Sequence, residues 1–314
     1  VIGDKRLLIV ADGALNYIPF EALVKNSDGA DYASLNYLVK TNEVVYAPSA
    51  SVIGAIRGNS PNVSAGGANR RILVIADPVF SANDARLKGS AQNSAETRGL
   101  GLGLESAIND VAGDQAAGGF HLARLSGTRT EAEEISKIAR TGGNQPDTWM
   151  DLNASEDNVR SRDITSYRIV HVATHGLLDA ERPQFTGVVL SLVGNKTNDG
   201  FLRTDEIFNL KLGSPLVMLS ACETGLGKEK RGEGVLGLTR AFMYAGAPTV
   251  GVSLWSVADK STADLMTDFY RRLLATSPQP PASALRDAQL ALITGKKYSA
   301  PFYWAPFVLV GEWR

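Results

Sequence analysis

The clearest pattern along the chain is an alternation of short apolar runs with segments of helical periodicity. The most regular apolar runs are 72–76, Ile-Leu-Val-Ile-Ala, and 169–173, Ile-Val-His-Val-Ala, and both predict fully buried strands. Apolar residues three or four positions apart predict helices at 234–245, 261–274 and 282–293. Because strands that alternate with helices form a mostly parallel sheet covered on both faces, the pattern predicts an α/β fold.

Weaker signals predict the remaining elements. A hairpin is predicted over 37–46, because two β-rich stretches flank Thr41 and Asn42. A capping box formed by Thr130 and Glu133 predicts the start of another helix. Short helices are predicted at 49–56 and 205–210, and further strands at 7–10, 188–192, 216–219, 249–254 and 307–310.

One stretch, 81–119, departs from this regular pattern. It is rich in Gly, Ala, Ser, Asn and Gln and holds few large apolar residues, which predicts a long mobile loop or insertion. Apart from it, the chain is predicted to form a single domain over 1–314. Because Val1 is followed almost at once by an apolar run, we expect a piece of a longer multidomain protein.

Charge and composition narrow the range of partners. The net charge is -1, from 32 Lys and Arg against 33 Asp and Glu, and no basic excess indicates nucleic-acid binding. No apolar run reaches the length of a membrane-spanning helix. The single cysteine cannot form an internal disulfide, which fits a cytoplasmic location. We therefore expect a cytoplasmic protein that binds neither nucleic acid nor membranes.

Candidate chemistry centres on His175, in the stretch H-V-A-T-H-G, and on the single cysteine, Cys222. Each follows a predicted strand, and sites in open parallel sheets form beyond the carboxyl ends of strands. If the two strands are neighbours, a thiol and an imidazole meet there, as acyl transfer by a cysteine requires. Taken singly, Cys222 is typical of a small buried apolar residue and His175 of a core histidine. Of the other histidines, His171 shares the strand and His121 lies in a loop.

The backbone around these two residues suits an oxyanion hole. The N–H groups of Gly176 and Cys222 are natural donors to a developing negative charge. Gly176 has no Cβ, so a substrate can approach that backbone closely, and Gly225 and Gly227 leave room around the thiol. One cysteine and two nearby histidines provide too few ligands for a metal site, so we expect no metal and no other cofactor.

Several motifs, in order, resemble the CHAT domain, a caspase-like peptidase module that is similar to separase and is often attached to tetratricopeptide repeats in bacteria. The matching stretches run from about Leu7 to Gly311, with 81–119 excepted. They are A-D-G-A-L-N-Y-I-P-F-E-A-L, V-V-Y-A-P-S-A, H-V-A-T-H-G, L-S-A-C-E-T-G-L-G, G-E-G-V-L-G-L-T-R-A-F, A-G-A-P-T-V-G-V-S-L-W-S-V-A-D-K-S-T and W-A-P-F-V-L-V-G. The alanine before Cys222 and a histidine about fifty residues upstream also agree with part of a caspase signature, whose other positions this sequence does not keep.

The resemblance implies a caspase-like three-layer α/β/α sandwich with a mostly parallel sheet, and a cysteine endopeptidase with a Cys-His dyad. Carried over to this sequence, His175 is the catalytic histidine, Cys222 the nucleophile and Gly176 a contributor to the oxyanion hole. A protein substrate and a controlling sensor or repeat module are further implications, with a role in signalling or defence. The alternative is a catalytically silent domain that serves as a protein-interaction scaffold.

Substrate specificity is predicted from the resemblance to separase, whose relatives have an acidic residue in the S1 pocket that selects a basic P1 residue. Asp259 corresponds to that residue, although it also suits the start of the helix predicted at 261. Trp255 either walls the pocket or packs in the core. The charged loop 227–232 is either a solvated loop or a self-cleavage site after Lys230 or Arg231.

Overall fold

The computed structural model describes residues 2–26, 31–59, 70–87, 122–178, 185–220, 222–225, 233–255 and 259–313, and for residues 59, 222–225, 233–236 and 259 it describes only the backbone. Twelve strands of this part of the chain form two sheets. In chain order they are β1 (Leu7–Ile9), β2 (Val44–Tyr46), β3 (Arg71–Pro78), β4 (Gln145–Asp151), β5 (Ile169–Ala173), β6 (His175–Leu178), β7 (Gly187–Val189), β8 (Phe201–Arg203), β9 (Leu216–Leu219), β10 (Cys222–Gly225), β11 (Thr249–Ser253) and β12 (Phe307–Gly311).

The described α-helices are α1 (Leu38–Thr41), α2 (Ala50–Asn59), α3 (Ser126–Thr141), α4 (Glu156–Ser161), α5 (Thr204–Phe208), α6 (Glu233–Tyr244), α7 (Asp259–Leu273), α8 (Pro281–Thr294) and α9 (Pro301–Trp304). Short 3₁₀-helices cover Gly13–Tyr17, Phe20–Ala22 and Ala85–Leu87. Of these helices, the long ones α3, α6, α7 and α8 supply most of the apolar surface that covers the large sheet.

The large sheet has eight strands in the order β1-β2-β12-β11-β9-β5-β3-β4. All neighbouring pairs run parallel except β11 with β12. Successive side chains of β3 lie on opposite faces of the sheet. Leu73 packs in one core cluster with Phe242 of α6, and Val74 packs in the other with Phe269 of α7. Helices thus cover both faces, which confirms the predicted three-layer α/β/α sandwich.

A second, smaller sheet lies beyond the carboxyl ends of two central strands. Its order is β10-β6-β7-β8. The chain passes from β5 into β6 through Thr174 alone, and from β9 into β10 through residues 220 and 221. Phe80, Leu177, Val189 and Phe201 form part of its own small apolar cluster. The continuation of β5 and β9 into this sheet brings His175 and Cys222 onto paired strands.

The central strands of the large sheet form where the apolar runs predicted them, but two local predictions are wrong. The hairpin over 37–46 does not form: Leu38–Thr41 is one helical turn closed by the hydrogen bond from Asn42 N to Leu38 O (2.9 Å), and β2 pairs parallel with β1. The apolar residues of this turn fill both core clusters, so tertiary packing overrides β-propensity. Helix α3 begins at Ser126, where Leu125 is the N-cap residue, so Thr130 lies within the helix and does not cap it.

The predicted insertion falls partly within the described residues. Residues 81–87 are described and contain the short 3₁₀-helix Ala85–Leu87, whereas 88–119 lie outside the described residues. Within 81–87, Arg86 donates hydrogen bonds to Asp84 and Asp151 and to the carbonyl of Asp77. The start of this segment is therefore attached to the carboxyl ends of β3 and β4.

Candidate functional site

The strands that lead to His175 and Cys222 are neighbours in the large sheet, which meets the condition stated in the sequence analysis. β5 pairs parallel with β9, with Val172 opposite Leu219. Their continuations, β6 and β10, also pair parallel, and the Cα partner of Cys222 is His175. Since paired strands lie about 4.8 Å apart, the backbones of the two residues are direct neighbours. The side chain of Cys222 lies outside the described part of the structure.

The imidazole of His175 is held in a fixed, buried position. Only 5% of the residue is exposed, and its Nε2 lies 2.8 Å from the carbonyl oxygen of Ala123. A carbonyl oxygen can only accept a hydrogen bond, so Nε2 is the donor and Nδ1 carries the lone pair of the neutral ring. The Phe80 ring packs against the imidazole, with centroids 5.1 Å apart and planes at 54°. The hydrogen bond to Ala123 and the packing of Phe80 therefore both help to orient the histidine.

A network of arginines and aspartates borders this site at the carboxyl ends of β3 and β4. Asp77, whose side chain is fully buried, accepts hydrogen bonds from Arg124 Nε (2.9 Å), Arg124 Nη2 (2.7 Å) and Arg129 Nε (2.7 Å). Asp151 accepts from Arg129 Nη2 (2.6 Å) and Arg86 Nη1 (2.8 Å). Burial raises the pKa of Asp77, but the hydrogen bonds from Arg124 and Arg129 outweigh it and hold that pKa below its ordinary value.

The profile of the CHAT domain family matches residues 3–312. The chain belongs to the CHAT domain family. Tetratricopeptide repeat protein 28 of Homo sapiens is 26% identical in an alignment of 327 residues that covers 98% of this chain and 12% of that protein. The protein of the same name from Mus musculus is 32% identical over 111 residues, which are 35% of this chain and 4% of that protein. This CHAT domain thus spans only a small part of the curated relatives that it matches.

Two solved structures resemble this CHAT domain in fold. Separase in the Saccharomyces cerevisiae separase–securin complex aligns with a TM-score of 0.52 at 13% identity, over 98% of this chain and 15% of that chain. The Arg-specific cysteine proteinase gingipain R (RgpB) of Porphyromonas gingivalis aligns with a TM-score of 0.50 at 10% identity, over 90% of this chain and 56% of that chain. The caspase-like fold expected from the sequence is therefore shared with these two peptidases.

His171, the other histidine in the described part of the chain, lies apart from the paired positions of His175 and Cys222. His171 of β5 is fully buried, with Nδ1 3.0 Å from the hydroxyl of Tyr270 in α7. Its Nε2 lies 3.1 Å from Glu131 Oε1 in α3, without hydrogen-bond alignment. Burial, followed by the charge of Glu131, raises the pKa of Tyr270 well above its ordinary value. His171 thus belongs to a polar group within the core, and His121 lies outside the described residues.

The specificity residues predicted from the sequence lie near the same edge of the sheet. Asp259 is the first residue of α7, and only its backbone is described. Trp255 follows β11, is half-buried and donates from Nε1 to the carbonyl of Phe302 (3.1 Å). It contacts both core clusters of the large sheet, which accords with the core-packing interpretation of this residue. The loop 227–232 lies outside the described residues, and Gly225 ends β10.

Sequence reasoning missed three residues around His175, namely Asp77, Phe80 and Ala123. Asp77 had a usable signal, because it directly follows the apolar run 72–76 and so stands near the carboxyl edge where sites form. Ala123 had none, since it acts through its backbone carbonyl, which every residue type possesses.

In the described ranges, no group of three or more His, Cys, Asp or Glu residues could hold a metal ion. Over the same residues, every helix is too short or too polar to cross a bilayer.

Proposed function

We propose that this CHAT domain is a cysteine endopeptidase in which Cys222 is the nucleophile and His175 the general base. The observation that carries the proposal is the parallel register of β6 and β10, in which Cys222 and His175 are direct partners. Acyl transfer by a cysteine requires this neighbourhood of a thiol and an imidazole. The peptidases that share the fold support the same chemistry.

The proposed reaction uses the orientation of His175. Nδ1 accepts the thiol proton of Cys222, and the thiolate attacks the scissile carbonyl carbon. The backbone N–H groups of Gly176 and Cys222 donate to the oxyanion that forms. The imidazolium then gives its proton to the leaving amine as the C–N bond breaks, and water hydrolyses the thioester. The hydrogen bond from Nε2 to Ala123 supports this assignment, because it leaves the lone pair on Nδ1.

The substrate is proposed to be a protein cleaved after arginine or lysine. Asp259 begins α7, which follows β11, and β11 is a neighbour of β9 in the sheet. A carboxylate at that edge can bind a P1 guanidinium through two charge-assisted hydrogen bonds. A net charge of -1 favours no nucleic-acid partner, and a chain with a single cysteine is suited to the cytoplasm. Trp255 packs against both core clusters and is only half-buried, and we propose that its remaining surface forms a wall of this pocket.

Asp259→Asn is expected to lower kcat/KM for peptides with arginine at P1 about 100-fold, because truncating one partner of a desolvated charge pair costs several kcal/mol. Peptides with neutral P1 residues should change little. Initial rates on matched fluorogenic peptides measure the difference. Asp264→Asn, an exposed aspartate of the same helix, is the control and should cleave as wild type. An unchanged P1 preference in Asp259→Asn would exclude this carboxylate from the pocket.

Control by an attached repeat module is part of the proposal. The curated relatives that align with this chain are tetratricopeptide repeat proteins, and the aligned part is a small fraction of their length. A peptidase domain carried by a repeat array can be held inactive until the array binds its partner. We therefore propose that a sensor or repeat module in the same polypeptide or complex regulates access to the Cys222 site.

A scaffold without catalysis is the second candidate, because the curated relatives are named for their repeats and not for a peptidase activity. A labelled peptide reagent with a basic P1 residue and a thiol-reactive end group separates the two. An active site is expected to react about tenfold or more faster than free cysteine, since its thiolate is stabilised. Mass spectrometry locates the label, and Cys222→Ala should take none because the chain has one cysteine. A rate equal to that of free cysteine favours the scaffold.

A further inference from the structure

The backbone of Asp77, near the carboxyl end of β3, has a positive φ, which is uncommon for residues other than glycine and is shared here by Asp151 at the end of β4. The φ of Asp77 is 48°, in the left-handed region, and its side chain is fully buried. A buried carboxylate is costly unless it is paired, and here the guanidiniums of Arg86, Arg124 and Arg129 pair with it. Strained backbone and a fully paired buried charge persist where the surrounding structure requires them, often at functional sites.

Asp77 is connected to the segment that orients His175 in two ways. Its carboxylate binds the Arg124 guanidinium through two parallel hydrogen bonds of 2.9 and 2.7 Å. Its backbone N–H donates to Thr128 Oγ1 (3.0 Å), which in turn donates to the carbonyl of Leu125 (2.7 Å). Residues 124 and 125 are thereby attached to the end of β3, and Ala123 directly precedes them. The position of the Ala123 carbonyl therefore depends on Asp77.

We propose that Asp77 is a positioning residue for the His175 imidazole, acting through Arg124 and the carbonyl of Ala123. The inference rests on the proposed function, since it assigns His175 the role of general base. A fixed carbonyl 2.8 Å from Nε2 keeps the proton on that nitrogen and the lone pair on Nδ1. Hydrogen-bond partners of this kind set both the tautomer and the ring orientation of a functional histidine.

Substitution of the neighbouring aspartates distinguishes a positioning role of Asp77 from a purely structural role. Asp84 binds Arg86, and Asp151 binds Arg86 and Arg129. Among the carboxylates described in the structure, only Asp77 forms an ion pair with Arg124. Loss of Asp84 therefore removes an ion pair from the same network without releasing the 122–125 segment. If the network only stabilises the fold, the Asp77 and Asp84 variants should differ in thermal stability, but neither should change the tautomer of His175.

The test reads the tautomer of His175 directly by ¹⁵N NMR of the histidine-labelled chain at pH 8. The chain has three histidines, and His175→Gln assigns the resonance. Wild type is expected to show the Nε2–H form, whereas Asp77→Asn and Arg124→Ala should populate both tautomers. Both should lower kcat for a basic peptide about 10- to 100-fold with little change in KM. Arg124→Lys, which restores the charge but not the paired geometry, should be intermediate, and Asp84→Asn should match wild type.

The result that overturns the proposal is a wild-type tautomer and kcat in folded Asp77→Asn and Arg124→Ala. If Asp77→Asn does not fold, Arg124→Ala decides, because Arg124 is partly exposed and its loss leaves Arg129 on the carboxylate. The tautomer is measured without catalysis. Consequently, a chain that cleaves no peptide would contradict the proposed function while the NMR spectra still decide the role of Asp77.

Discussion

Cys222→Ala is expected to lower the rate of peptide cleavage by about 10⁴- to 10⁶-fold and to leave the fold intact. The thiolate forms the covalent intermediate, so without it only substrate binding and the oxyanion donors remain. The substitution removes a single sulfur atom, which does not disturb the backbone pairing of β10 with β6. Initial rates on a basic fluorogenic peptide, with circular dichroism as the measure of folding, test the prediction.

His175→Ala provides the matching half of this experiment. Because nucleophile and base act as one unit, the double variant should be no slower than either single variant. Ser220→Ala is the control: this buried hydroxyl lies two residues before Cys222 and forms no hydrogen bond with the described residues. It should cleave as wild type. Equal cleavage by wild type and Cys222→Ala would remove Cys222 from the chemistry, whereas no cleavage by wild type would favour the scaffold.

The location of this pair of residues could be predicted from the sequence because buried parallel strands have an unambiguous pattern. Ile169–Ala173 and Leu216–Leu219 are continuous apolar runs, and the structure has both strands with those bounds. A polar residue shortly after such a run stands at the edge where parallel sheets form their sites. Thr174 alone separates His175 from its strand, and residues 220 and 221 separate Cys222 from its own, so the pattern places both residues at this edge. That the two strands are neighbours is seen only in the structure.

The small sheet that aligns the two residues could not be predicted. β6 and β10 have four residues each, and neither shows the alternation of apolar and polar positions that predicts a strand. Both form because β5 and β9 already lie side by side and deliver their next residues to the same place. This pairing is a consequence of tertiary structure, and a Cys-x-x-Gly sequence read by itself indicates only a turn.

The contacts that orient His175 could not be predicted from the sequence either, for a different reason. The Ala123 carbonyl and the Arg124 side chain belong to a segment that precedes α3, far from β6 along the chain. Nothing in the residue type of Ala123 identifies it as a hydrogen-bond acceptor for an imidazole. The Asp77 contact depends on a positive φ that no local pattern predicts. Backbone acceptors and strained positions become visible only when the long-range packing is known.

Trp304→Ala is expected to lower the free energy of unfolding by about 3–5 kcal/mol, the range for removing a buried aromatic residue. Trp304 opens the last motif shared with the CHAT family and is fully buried in the core layer on the α7 and α8 side. Its ring contacts Tyr37 edge-on, with centroids 5.0 Å apart, and its Nε1 donates to the carbonyl of Ser299 (3.0 Å). The substitution leaves a large cavity and an unpaired Ser299 carbonyl, so both losses act together.

Urea denaturation measures this loss, and Tyr244→Ala is the control, because Tyr244 is 77% exposed and its removal should change stability by less than about 0.5 kcal/mol. Trp304→Phe should recover part of the loss by filling part of the cavity.

Since domains of this kind are stable by about 5–15 kcal/mol, Trp304→Ala leaves a population that still folds. Per folded molecule, that population should cleave as wild type, whereas Cys222→Ala should be fully stable and inactive. A wild-type unfolding midpoint in Trp304→Ala would show that this shared motif does not stabilise the fold. Impaired cleavage by its folded fraction would extend the role of the motif to the site.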